Sequence, residues 1–133
     1  MGGPSETPEV ALLRVLVVDD DPIIGAVFKR LLKPWSVVFA QSAAGALARI
    51  QAGGKFDAVI CDVSMPGMSG IEFHRAVAEA APSMARRVVF VTGGATTPEA
   101  AEFLEHTTNT VLLKPVEYEI LRQAVEAASR QAR

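Results

Sequence analysis

The sequence predicts an α/β domain built on a doubly wound, five-stranded parallel sheet with five helices. Three observations carry this expectation. Five short apolar runs recur along the chain: Arg14 to Val18, Ser36 to Ala40, Ala58 to Cys61, Val88 to Val91 and Thr110 to Leu113. Segments with helical periodicity follow each of them. The most apolar runs are continuous rather than alternating, as expected of strands covered on both faces. Strands alternating with helices make a parallel sheet. Right-handed crossovers then restrict the topology, and the order 2-1-3-4-5 is expected, with the first strand inside the sheet.

Each element has its own signals. Asp21 can cap the first helix, with Pro22 at the first position, where a missing N–H costs nothing. Ile24, Val27, Phe28 and Leu31 form its predicted apolar stripe, and Pro34 ends it. Ser42 can cap the second helix, which runs through Leu47 and Ile50 to Gly53-Gly54. Ser69 and Glu72 have capping-box spacing and open a third helix to about Ala80. Thr97 and Pro98 open a fourth helix to about His106. Val116, Ile120, Leu121, Ala124, Val125 and Ala128 form the stripe of the C-terminal helix. Residues 1–12 read as a flexible lead-in to a single domain over residues 13–130.

At 133 residues, half of them apolar, the chain has enough material for one core. A net charge of −2 gives no bulk attraction to nucleic acid or to an anionic membrane. No apolar run nears the ~18 residues a membrane span needs. The N-terminus lacks the basic start and apolar core of a secretory leader, so a cytoplasmic protein is expected. The single cysteine, Cys61, lies inside an apolar run and reads as a small core residue. His74 and His106 have no partner at metal-ligand spacing, so zinc is not expected. His74 is expected on a surface helix, and Trp35 is expected to pack at the end of the first helix.

The chemistry lies where the runs end. Asp19-Asp20-Asp21 follows the first run, Asp62 the third, Thr92-Gly93-Gly94 the fourth and Lys114 the fifth. Singly, each has a plain structural explanation as a turn former, cap or surface charge. Together they mark one edge of an open sheet, where ligands bind. Asp19, Asp20 and Asp62 can supply the oxygen ligands that Mg²⁺ takes alongside water and a phosphoryl oxygen. Crowded carboxylates repel, so one of them is expected to hold its proton more tightly in the absence of a cation. Asp62 is the candidate nucleophile, able to form an acyl phosphate. Lys114 can neutralise charge on the transferring oxygens. The Thr92 hydroxyl can reach a phosphoryl oxygen, and Gly93 and Gly94 leave it room.

At these residues the chain resembles a two-component response-regulator receiver domain. The motifs are Val15-Leu16-Val17-Val18-Asp19-Asp20-Asp21-Pro22, Asp62-Val63-Ser64-Met65-Pro66-Gly67-Met68-Ser69-Gly70, Val91-Thr92-Gly93 and Lys114-Pro115. The resemblance implies a flavodoxin-like fold. It implies that Asp62 accepts phosphate from a histidine kinase or phosphotransfer protein and passes a signal to a downstream protein. Asp19, Asp20, Asp62 and the carbonyl of Ser64 match the Mg²⁺ ligands. Thr92 matches the switch hydroxyl, Lys114 the phosphoryl-pairing lysine, and Pro115 a proline preceded by a cis bond. Such a domain acts only on its own Asp62 rather than turning over a separate substrate.

Val111 departs from the pattern, because receivers usually carry an aromatic ring there that rotates on phosphorylation. The signal is therefore expected to pass by Thr92, the following loop and the helix opened by Thr97. Thr92-Gly93-Gly94-Ala95 resembles receivers of hybrid sensor kinases, and a single-domain regulator fits as well. Two alternatives remain open from the residues. Asp19-Asp20-Asp21 has the D-x-D spacing of haloacid-dehalogenase phosphatases, with Asp19 as nucleophile and Asp21 as acid/base. A phosphorylation-independent binding module is the other.

Overall fold

Strands and helices alternate through the described residues, apart from one pair of consecutive helices, and every strand pairing is parallel. A computed structural model describes residues 12–131. The elements are β1 (Arg14–Val18), α1 (Pro22–Leu31), β2 (Ser36–Ala40), α2 (Ala43–Gln51), β3 (Ala58–Asp62), α3 (Gly70–Ala80), α4 (Pro82–Ala85), β4 (Val88–Thr92), α5 (Pro98–His106), β5 (Val111–Leu113) and α6 (Tyr118–Ser129). The strand order is β2-β1-β3-β4-β5. This is the flavodoxin-like arrangement expected from the sequence. The lead-in expected over residues 1–12 lies, apart from Leu12, outside the described residues.

The continuous apolar strands are continuous because both faces of the sheet are covered. Val15 and Val17 join Ala58, Ile60, Val89 and Val91 beneath α1 and α6. Leu16 and Val18 join Val59, Cys61, Val88 and Phe90 on the other face, beneath α2, α3 and α5. The helix starts follow the capping residues. Oxygens of Asp21, Ser42 and Thr97 accept from the N–H groups of Ile23, Gly45 and Ala100, each at 3.0 Å. Ser69 and Glu72 satisfy each other's backbone N–H in a complete capping box.

The five expected helices are present, and among the described residues Pro82 opens one additional short turn, α4, whose Met84 and Ala85 are buried. Three expectations need correction. Val27 is 42% exposed and does not belong to the buried stripe of α1. The buried positions there are Gly25 and Phe28. Gly25 faces the core because the ring of Phe39 fills the space a side chain would need, 2.6 Å from where its Cβ would stand. That contact sets the rotation of α1 and turns Val27 outward. Ile120 is likewise exposed, since α6 buries the tighter set Leu121, Ala124, Val125 and Ala128. His74, expected on the surface, is half-buried.

Trp35 packs where expected, buried beyond the end of α1, with the Arg122 guanidinium 4.1 Å from its ring centroid. Both Lys33–Pro34 and Lys114–Pro115 are cis. Cys61 is fully buried, and burial pushes its thiol pKa far above the ordinary range, with Asp62 and Asp19 adding to the effect.

Candidate functional site

The residues singled out at the strand ends meet at the carboxyl edge of β1, β3, β4 and β5. Asp19 follows β1 and is nearly buried. Its N–H donates to the Ala40 carbonyl at 3.2 Å, which holds it to the end of β2. Its Oδ1 accepts the N–H of Asp21 at 2.9 Å, which fixes the carboxylate. Asp20, the next residue, is exposed. Asp62 is the last residue of β3 rather than the first of the loop, and it is also nearly buried. Its Oδ1 accepts the N–H of Ser64 at 3.3 Å. Lys114 is held to β4 by its N–H, which donates to the Thr92 carbonyl at 2.8 Å. Its Nζ lies 3.5 Å from Oδ2 of Asp19 and 3.5 Å from Oδ2 of Asp62.

The loop after Asp62 returns on Asp62 itself. The N–H of Gly70, the first residue of α3, donates to the Val63 carbonyl at 2.9 Å. A Cβ on Gly70 would collide with the carbonyl oxygen of Asp62 and lie 2.9 Å from Cα of Val63. Only a glycine lets α3 start this close to Asp62. Sequence reasoning missed this role, since Gly70 reads as one turn residue among several. Met65 and Met68, on the same loop, are partly buried against the core.

Carboxylate oxygens of Asp19, Asp20 and Asp62 lie within 4.8 Å of one another. This is the hard-oxygen donor set that a small divalent cation takes. The electrostatics agree. Burial raises the pKa of Asp62 above the ordinary aspartate value, and the charge of Asp19 raises it further. Lys114 and the Ser64 N–H act in the opposite direction without reversing the result. One carboxylate of the cluster therefore resists ionisation, as expected, but burial rather than the crowding of acids is the main cause.

Thr92, at the end of β4, is buried. Its hydroxyl accepts the N–H of Gly94 at 3.0 Å and donates to the Gly94 carbonyl at 3.1 Å. It is engaged by its own loop. Gly93 and Gly94 are exposed, and Gly94 has φ 130°, a conformation that favours glycine. Val111 pairs in register with Phe90 of β4 and is partly buried. Asp21, the acid/base of the phosphatase reading, has its Oδ1 engaged in capping α1. Neither histidine belongs to a metal-ligand cluster among the described residues.

Comparison with known proteins agrees with this geometry. The family described as "Response regulator receiver domain" matches residues 15–126. The "Transcriptional regulatory protein ZraR" of Salmonella typhimurium is 31% identical over 121 residues, covering 90% of this chain and 27% of that protein. The chain thus spans about a quarter of the length of the curated relatives it matches. A response regulator receiver domain protein of Clostridium thermocellum has a similar structure, with TM-score 0.77 and 30% identity over 89% of this chain and 94% of that one. The Vibrio cholerae chemotaxis protein CheY4 gives TM-score 0.72 and 29% identity, covering 89% of this chain and 99% of that one. The chain belongs to the response regulator receiver domain family of two-component signalling.

Proposed function

We propose that this chain is a phosphorylation-controlled signalling module in which Asp62 accepts a phosphoryl group from a phosphohistidine of a kinase or phosphotransfer protein. The observation that carries the reading is the ammonium of Lys114, 3.5 Å from a carboxylate oxygen of both Asp19 and Asp62. An oxygen of Asp62 attacks phosphorus and the N–P bond breaks. The imidazole leaves with the bonding electrons, and an acyl phosphate remains on Asp62. Asp19, Asp20, Asp62 and the carbonyl of Ser64 would hold Mg²⁺, which supplies positive charge opposite the transferring oxygens. Lys114 serves the same oxygens from the side of β5. Ionised Asp62 is the attacking form, and the approach of positive charge offsets the burial that disfavours it.

The Thr92 hydroxyl is the natural partner for the new phosphoryl group. To reach it, the hydroxyl must leave Gly94, which breaks both of its hydrogen bonds to that residue. The loop over 93–97 and α5 must respond. Charge transfer thereby becomes a change of surface, with no separate substrate turned over. Ile23 on the first turn of α1 and Leu113 beside Lys114 are each 68% exposed. They flank the pocket and suit an apolar docking face of the phosphodonor.

The test is incubation with acetyl phosphate and Mg²⁺. One phosphoryl group per chain is expected, and none on the Asp62→Ala variant. Label that persists on Asp62→Ala excludes the mechanism. Label that disappears with Asp19→Asn but persists with Asp62→Asn would favour the phosphatase-like chemistry instead.

A further inference from the structure

Two chains of structure leave the site by different routes. One runs from Asp62 through the return loop into α3, and the other from Thr92 through the loop over 93–97 into α5. They meet again at three aromatic rings. His74 of α3 lies 5.4 Å from Phe90 of β4 and 5.8 Å from Phe103 of α5, centroid to centroid. Phe90 and Phe103 close the triangle at 5.3 Å with their planes 88° apart, an edge-to-face contact. We propose that this triangle is the joint through which the phosphoryl state of Asp62, in the function proposed above, moves α5, with Phe103 as its mobile member.

The three rings are not held equally. Phe90 is fully buried, two residues before Thr92 on the same strand. His74 is half-buried between the other two rings and faces the Ala85 carbonyl and the Asn109 side chain, both of which favour its protonated form. Asn109 is itself pinned, since its Nδ2 donates to the carbonyls of Ala85 and Val88 at 2.8 Å each. Phe103 has no comparable support. It rides on α5, which buries only Ala100 completely, with Phe103 and Leu104 partly covered. The residues before that helix, from Gly93 through Thr97, are all exposed. Displacing Thr92 from Gly94 therefore meets little resistance along the loop until Phe103 presses on the fixed pair.

The neighbouring sheet position strengthens the assignment. Val111 stands beside Phe90 in register and offers an aliphatic side chain. The aromatic contact between sheet and α5 is thus made from the helix side, by Phe103. An edge-to-face contact is directional, so a small rotation of α5 changes it more than it would change packing against a methyl group. The cluster can then register a displacement of α5 that leaves the core strands in place.

The measurement is the imidazole proton spectrum of the full chain, in which His74 and His106 are the only histidines. His74 sits against two rings, and ring currents make its resonances sensitive to their orientation. Beryllofluoride with Mg²⁺ serves as the phosphoryl stand-in. Loading is expected to shift the His74 resonances in the native chain. In Phe103→Leu that shift is expected to fall by about threefold or more. Acetyl phosphate labelling of Asp62 is expected to change by less than about twofold, because Phe103 touches none of the reacting groups. Phe103→Tyr, which keeps the ring, is expected to restore the shift. A labelled native chain with an unmoved His74 overturns the joint while leaving the proposed function intact, as does a full shift in Phe103→Leu. A native chain that takes no label overturns the proposed function, and the joint falls with it.

Discussion

Asp62 shows how a candidate functional group can work against the fold that holds it. Its pKa is raised above the ordinary value of 3.8, first by burial and then by Asp19, with Lys114 only partly compensating. The folded chain therefore binds a proton at Asp62 more tightly than the unfolded chain does. The stability this group contributes is complete below its unfolded pKa and is lost as the pH rises through the folded value. At neutral pH, without a cation, the ionised side chain destabilises the protein. Asp62→Asn is thus expected to raise the thermal midpoint of the metal-free chain at pH 7 by a few degrees, about 2–5 °C. A lower midpoint for the variant in calorimetry would show that Lys114 dominates the local field. Adding Mg²⁺ is expected to stabilise the native chain and leave the variant less affected. The sequence indicated crowded acids at this edge. It did not indicate which acid would carry the shift, because that depends on depth of burial and on where the lysine ends.

At the scale of single elements, the starts of the helices were legible and their rotations were not. Asp21, Ser42, Ser69 and Thr97 cap as their spacing implies, since a cap uses only neighbouring residues. The stripe of α1 was misread at Val27, because Gly25 lies against Phe39 of β2, a residue fourteen positions away in the chain. Gly70 is the instructive glycine at the site. In an ordinary helix interior, glycine to alanine gains about 0.5–1 kcal/mol. Here the added Cβ would strike the Asp62 carbonyl and the Val63 backbone, neither of which can swing aside. The sign should therefore reverse. Gly70→Ala is expected to cost about 1–3 kcal/mol in chemical denaturation. It is also expected to slow acetyl phosphate labelling, because relief of the clash moves Asp62, the proposed acceptor. A variant as stable as the native chain would place the start of α3 further from Asp62 than the structure has it.

For the whole molecule, the sheet order brings four strand ends together while the two helical layers remain separately packed. The α2–α3–α5 layer contains the half-buried His74, whose pKa is lowered chiefly by burial. In that case the unfolded chain binds the proton more tightly. Stability is full above the unfolded value of 6.5 and falls as the pH drops through the folded value. The thermal midpoint is expected to decline on acidification below about pH 6.5, and His74→Gln is expected to flatten that decline. An unchanged slope in the variant would assign it to other groups. The sequence by itself determined the topology and the edge at which Asp19, Asp62, Thr92 and Lys114 gather. Strand and helix periods are local, crossover handedness restricts how they can be arranged, and the polar residues at the strand ends mark the shared edge. Only the tertiary structure decided that Lys114 reaches both carboxylates, that the Thr92 hydroxyl turns into its own loop, and that His74 closes a ring cluster with Phe90 and Phe103. Each of these depends on contacts between residues far apart in the chain, whose distances are set by how helices rotate and settle on the sheet.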